Sequence, residues 1–185
     1  MEFTLVYQGP LKANGSPKEK QCIRRAFHRQ LQILWQQRPL CNCPDLLQES
    51  LSEGQDSILR KVGPFTFAPL VNKTLDWIAE LEVMFVRPEA PGALITQGGD
   101  IDNRLKTLFD ALRMPKVESE IPNGDRPQDG ENPLFCLLED DNLITRVSVK
   151  SQQWLERKED RNSVLLLIGV LTKTLDELSL GAATG

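Results

Sequence analysis

Two aspartates separated by one residue, Asp100 and Asp102, stand where a glycine-rich stretch meets a helical pattern, with a lysine at position 106. If residues 100–102 are extended, the two carboxylates project to the same side. Carboxylates held that close repel each other unless one is protonated or a cation sits between them. Oxygen donors of this kind suit a hard divalent cation, Mg²⁺ or, as a substitute, Mn²⁺. The plain alternative is that Asp102 caps the helix and Asp100 is solvated. A second acidic run, Glu139-Asp140-Asp141, follows the apolar segment Phe135–Leu138 and precedes a strand pattern. It is either a solvated turn or the source of a third ligand.

The elements around these residues follow from periodicity. Leu105, Leu108, Phe109 and Leu112 recur at i, i+3, i+4 and i+7, which predicts a helix over Asp102–Arg113. Asp102 and Lys106 fall at the edge of that face, one turn apart. This spacing places both partly buried and lets them support each other as an ion pair. Upstream, Phe3–Tyr7 reads as a short strand. Ser16-Pro17-Lys18-Glu19 combines an N-cap, a first-turn proline and a capping box, so a helix runs from there towards Arg38 and Pro39. Ile23, Phe27, Leu31 and Leu34 form its buried stripe. Lys18, Arg25 and Arg29 share the opposite side, as a solvated face or as phosphate contacts.

Strands are expected at Phe65–Val71, Leu75–Val86, Leu143–Trp154 and Ser163–Leu171. In the second, Leu75, Trp77, Ala79, Leu81, Val83 and Phe85 alternate onto one face. Residues 39–60 read as a polar connection with a helical piece near Asp45–Leu51. Residues 114–134, rich in proline, glycine and acids, read as a long flexible loop. The turn Arg157–Asn162 and the tail Gly181–Gly185 complete the chain. The order strand, helix, two strands, helix, two strands implies an α+β fold, a single domain over 1–185, with a mixed, largely antiparallel sheet flanked by helices and inserted loops at about 39–60 and 114–134.

Composition limits the function classes. The chain has 185 residues, 40% hydrophobic and 26% charged, enough to bury a core. No apolar run reaches membrane-spanning length and the first residues lack a signal-peptide pattern, so a cytoplasmic, non-membrane protein with reduced thiols is expected. Cys22, Cys41 and Cys43 with His28 do not have the spacing of a zinc knuckle. The single histidine leaves a Ser-His-Asp reading unsupported, and His28 reads as a polar residue on a helix flank. The net charge is −4, but residues 1–38 carry seven Lys and Arg against two Glu, so a basic first segment precedes an acidic remainder.

Asp100-Ile101-Asp102-Asn103, Lys106 and Phe109-Asp110-Ala111-Leu112, followed after a gap by Asp140-Asp141 and a strand, resemble the pattern of the RusA-type Holliday junction resolvases. The match is residue by residue over 100–113 and 138–149. The resemblance implies a Mg²⁺-dependent endonuclease that acts as a homodimer on branched or four-way DNA. It also implies that Asp100, Asp102 and Asp141 ligate metal, with Asp140 as the alternative to Asp141. Lys106 would lie beside the scissile phosphate and Asn103 would orient its neighbours. Where the family carries arginines before the first aspartate, this chain has Ile95-Thr96-Gln97-Gly98-Gly99. DNA contact would then fall to Lys18, Arg25 and Arg29. Two other readings stand beside this one. One is a non-catalytic RusA-like scaffold for nucleic acid or protein. The other is a metal-dependent phosphohydrolase acting on nucleotides or RNA.

Overall fold

A computed structural model of the chain describes residues 1–49, 57–88, 100–155 and 163–175; of Asp100 only the backbone is described. Strand β1 (Glu2–Pro10) buries Leu5 and Tyr7 by alternation. Helix α1 (Pro17–Trp35) starts as its sequence dictates. Ser16 Oγ accepts from the Glu19 N–H and the Glu19 carboxylate accepts from the Ser16 N–H. It ends at Trp35, three residues short of Arg38, where Gln36 and Gln37 donate back to Ile33 and Leu34.

The next strands are β2 (Arg60–Val62), β3 (Phe65–Val71) and β4 (Trp77–Arg87). Helix α2 (Asp100–Leu112) follows, then β5 (Leu134–Leu138), β6 (Ile144–Gln153) and β7 (Ser163–Thr174). They form an α+β domain whose expected mixed sheet is divided in two. One sheet has the order β1-β7-β4-β6, with β4 and β6 parallel and its other pairs antiparallel. The other has the order β2-β3-β5, antiparallel then parallel.

β4 and β7 alternate buried and partly exposed residues, the mark of a sheet with one covered face. All five residues of β5 are buried, as are all but Thr66 in β3. That pair is covered on both sides, with α1 against β5. One apolar cluster joins both sheets and both helices, including Leu5, Phe27, Leu31, Leu70, Leu81, Phe85, Leu108 and Ile168.

Residues 114–134 are not the flexible loop their composition suggests. They hold a 3₁₀ turn at Glu118–Glu120 and are tied down by charge. Arg113 pairs with Glu120 at 2.8 Å, and Arg25 with Asp125 at 3.1 Å and Glu131 at 2.8 Å. The helical piece expected near Asp45–Leu51 is a 3₁₀ turn at Pro44–Leu47, and its last residues lie outside the described ones. The loop bracketed by Pro91-Gly92 and Gly98-Gly99, the turn Arg157–Asn162 and the tail Gly181–Gly185 also lie outside them. No helix among the described residues is long and apolar enough to cross a membrane.

Candidate functional site

Helix α2 carries the first set of candidate residues, and its docking decides which way they face. Arg104 and Thr107 are buried along with Leu108, Ala111 and Leu112. Thr107 Oγ1 accepts from the Gly15 N–H at 2.9 Å and donates to the Asn103 carbonyl at 3.1 Å. A Cβ at Gly15 would stand 2.6 Å from the Thr107 methyl, so the approach of these two segments requires glycine. The Arg104 guanidinium donates to the Leu11 carbonyl. At the other end, Arg24 caps the helix: its guanidinium donates to the carbonyls of Asp110 (2.9 Å) and Arg113 (3.1 Å), which lack helical partners of their own. Burial lowers the Arg24 pKa to about 10.

This docking corrects three expectations about the aspartate pair. Residues 100–102 are helical, not extended. Positions two apart on a helix are turned about 200° around its axis, so the same-side arrangement is lost. Asp102 and Lys106 lie opposite the buried face and are exposed rather than partly buried. They share that exposed face one turn apart, but no ion pair joins them. Asn103, next to Asp102, is half-buried.

The second acidic run is fully partnered. Glu139 binds Arg60 at 2.9 Å and the Lys73 N–H at 2.8 Å. Asp140 opens a 3₁₀ turn at Asp141–Leu143 by accepting from the Asn142 N–H at 3.0 Å. The Lys116 ammonium then lies 3.0 Å from Asp140 Oδ2 and 3.3 Å from Asp141 Oδ1. Burial alone would raise the Asp140 carboxyl; the Asn142 N–H, Lys116 and Asp141 together bring it down to about 2. Lys116 is held above its ordinary value, first by its bond to Asp140.

Asp102 sits in the first turn of α2, roughly 15 Å of helical rise before Leu112. Lys116 and the acids it binds belong to the opposite end, where the Met114 N–H donates to Leu138. Among the described residues no three His, Cys, Asp or Glu side chains form a group that could hold a metal ion. The Asp100 carboxylate is outside that set.

The basic face of α1 is also altered. Lys18 and Arg29 are exposed. Arg25 is not free for phosphate, because Glu131 and Asp125 neutralise it, and those hydrogen bonds raise its pKa against the lowering effect of burial. His28 is not on a solvated flank: it is buried, stacked on Phe135, and its Nδ1 accepts from the Phe135 N–H at 2.9 Å. Cys22, Cys41 and Cys43 are exposed free thiols; Cys136 is buried, which pushes its thiol up to about 12.

Asp110, within the Phe-Asp-Ala-Leu motif, binds Lys20 at 2.7 Å and Arg113 at 2.9 Å, so that part of the motif ties α2 to α1. Lys116 is the site residue that spacing alone does not mark, since it follows Met114-Pro115 in a stretch that reads as loop. No family model, no curated protein and no solved structure matches this chain.

Proposed function

We propose that the chain is a Mg²⁺-dependent, structure-selective DNA endonuclease of the RusA type, acting as a homodimer on Holliday junctions or other branched DNA. The observation that carries this reading is the exposed face of α2. It presents Asp102 and Lys106 one turn apart and open to a large substrate, within an Asp-x-Asp-Asn-x-x-Lys sequence. An exposed carboxylate and an exposed ammonium are the two charges a phosphodiester and its counter-cation need. In this reading Asp100 and Asp102 are the oxygen donors to Mg²⁺ or Mn²⁺ at the start of α2, while Asp140 and Asp141 stay paired with Lys116 at the opposite end of the helix. When bound, the metal supplies Lewis acidity and a water of lowered pKa. Lys106 offsets the charge that grows on the phosphate during attack. Lys18 and Arg29, both exposed, supply contact to the DNA backbone.

A second reading is a non-catalytic scaffold of the same type. It is favoured by the Lys116 ion pairs of Asp140 and Asp141 and by the internal commitment of Arg25. The two separate in one experiment: four-way junction, duplex and single-stranded DNA offered side by side, with and without Mg²⁺, to the wild type and to Asp102→Asn. The nuclease reading expects Mg²⁺-dependent cleavage of the branched substrate that Asp102→Asn abolishes while binding is kept. Binding without cleavage by the wild type selects the scaffold. Cleavage by Asp102→Asn at the wild-type rate refutes the mechanism.

A further inference from the structure

The outer edge of a sheet carries backbone N–H and C=O groups with no strand to pair them. Among the described residues, the edges at β1, β5 and β2 are closed by the domain itself or cut short. On β1 the Gln30 side-chain amide stands in for a strand, accepting from the Val6 N–H at 2.9 Å and donating to the Val6 carbonyl at 2.7 Å. On β5 the Phe135 N–H goes to His28, and the Leu138 carbonyl accepts from Met114 at 2.9 Å. β2 is three residues long. β6 differs from all three. It runs for ten residues at the edge of its sheet and none of them is buried. We propose that β6 is a docking edge whose occupant is an extended, acidic segment of a partner protein, added to the sheet as a fifth strand. An edge of this kind serves a nuclease and a scaffold alike.

The two faces of β6 say what the incoming strand carries. On one face, Val147 and Val149 lie beside Leu81 and Val83 of β4. Leu81 and Val83 are buried, but Val147 remains 42% exposed at the rim of the sheet. An apolar side chain on a fifth strand would cover it. On the other face, Arg146 and Lys150 are exposed and four residues apart, about 13 Å along the strand. β6 itself holds no acid to balance them. The Arg146 guanidinium stands 3.8 Å from Glu80, which Lys173 already binds, so it can turn to a closer carboxylate. Opposite charges on facing strands stabilise a sheet, and like charges weaken it. The complement is therefore a segment with acids four residues apart on one face and apolar residues between them on the other. A second copy of β6 lacks that pattern: paired antiparallel about Ser148, it sets Arg146 against Lys150 twice. Nucleic acid brings negative charge but no alternating backbone donors and acceptors, and exposed Glu82, beside Ser148 on the same face, repels phosphate.

The test is fluorescence anisotropy of a labelled peptide, Thr-Glu-Val-Thr-Val-Glu-Val-Thr, with the wild type and with the double variant Arg146→Glu, Lys150→Glu. One control peptide has lysine in place of both glutamates, and a second is the acidic peptide N-methylated at every amide. The wild type should bind the acidic peptide about tenfold tighter than the lysine peptide, and the double variant should reverse that preference. The N-methylated peptide keeps the side chains and loses the backbone donors, so it should not bind. Hydrogen exchange should slow at the β6 amides when the acidic peptide binds, and not at those of β1. Thermal melts verify that the double variant is folded. Failure of the acidic peptide to bind overturns the proposal, as does equal affinity for the lysine peptide or undiminished binding of the N-methylated one. A dimer of the free protein whose β6 amides are already protected overturns it in favour of a second copy. Binding of four-way DNA that the double variant loses, with no binding of the peptide, overturns it in favour of a phosphate-contacting surface.

Discussion

His28 links pH to the stability of the whole α1–β5 contact, and the direction of that link follows from its hydrogen bonds. Nδ1 accepts from the Phe135 N–H at 2.9 Å, and Nε2 faces the Gly130 carbonyl at 3.2 Å, which fixes the neutral tautomer with hydrogen on Nε2. Protonation would place a second hydrogen on Nδ1, aimed at a donor. Burial and this bond favour the neutral ring, so its pKa falls below 6.5, against the raising pull of Glu131 and Gly130. A group whose pKa is depressed by folding binds more protons when unfolded. Its contribution is therefore complete above the unfolded pKa and is lost as pH falls through the folded one. His28 is 4% exposed, and leaving the Phe135 N–H without an acceptor costs about 1–3 kcal/mol. One proton changes stability by at most about 1.4 kcal/mol per pH unit, so the loss spreads over roughly one to two units. With one histidine in the chain, its imidazole proton resonance is assigned without ambiguity. A titration by NMR should give a midpoint below 6.5. Urea unfolding at pH 7.5 and pH 5.0 should show a loss in the wild type that His28→Gln, which keeps an acceptor and does not titrate, lacks. A midpoint at or above 6.5, or equal pH dependence in both proteins, refutes the assignment.

Other outcomes follow from the same contacts. Arg25→Gln leaves buried Glu131 unpaired and should lower unfolding stability by about 3 kcal/mol in urea titrations. Arg29→Glu, at an exposed position, should leave stability unchanged while weakening DNA binding and reducing its salt slope by about 1. If Arg25→Gln instead weakens DNA binding with no loss of stability, the internal role given to Arg25 is wrong. Thr107→Val removes the acceptor of the buried Gly15 N–H and should cost about 1–3 kcal/mol, checked by the same unfolding assay.

Much of the fold was legible because local signals agreed with tertiary needs. The capping box at Ser16–Glu19 starts α1, and the alternation from Trp77 to Phe85 is the covered face of β4. β5 shows the opposite case. Five apolar residues in a row carry no period, because both faces are covered, and such a run reads only as apolar. The order within 114–134 is hidden from the sequence for a different reason. Its acids suggest solvation, but Glu131 and Asp125 find Arg25 more than ninety residues away, and no local pattern reports a partner at that distance. The candidate site was legible in residue type and less so in orientation. The burial of Arg104 and Thr107, two polar residues, turns α2 so that Asp102 and Lys106 face water, which an apolar-face count cannot foresee.

The contacts of α1 also set a schedule for synthesis. Its hydrogen-bonding partners on α2 and β5 lie 86 to 107 residues further along the chain. A ribosome adding about 5–20 residues per second needs roughly 5–20 s to deliver them. During that interval Phe27, Leu31 and Trp35, all buried in the finished domain, have no β5 or α2 to cover them. The nascent chain therefore presents an uncovered amphipathic helix for seconds, the kind of surface that holding chaperones bind.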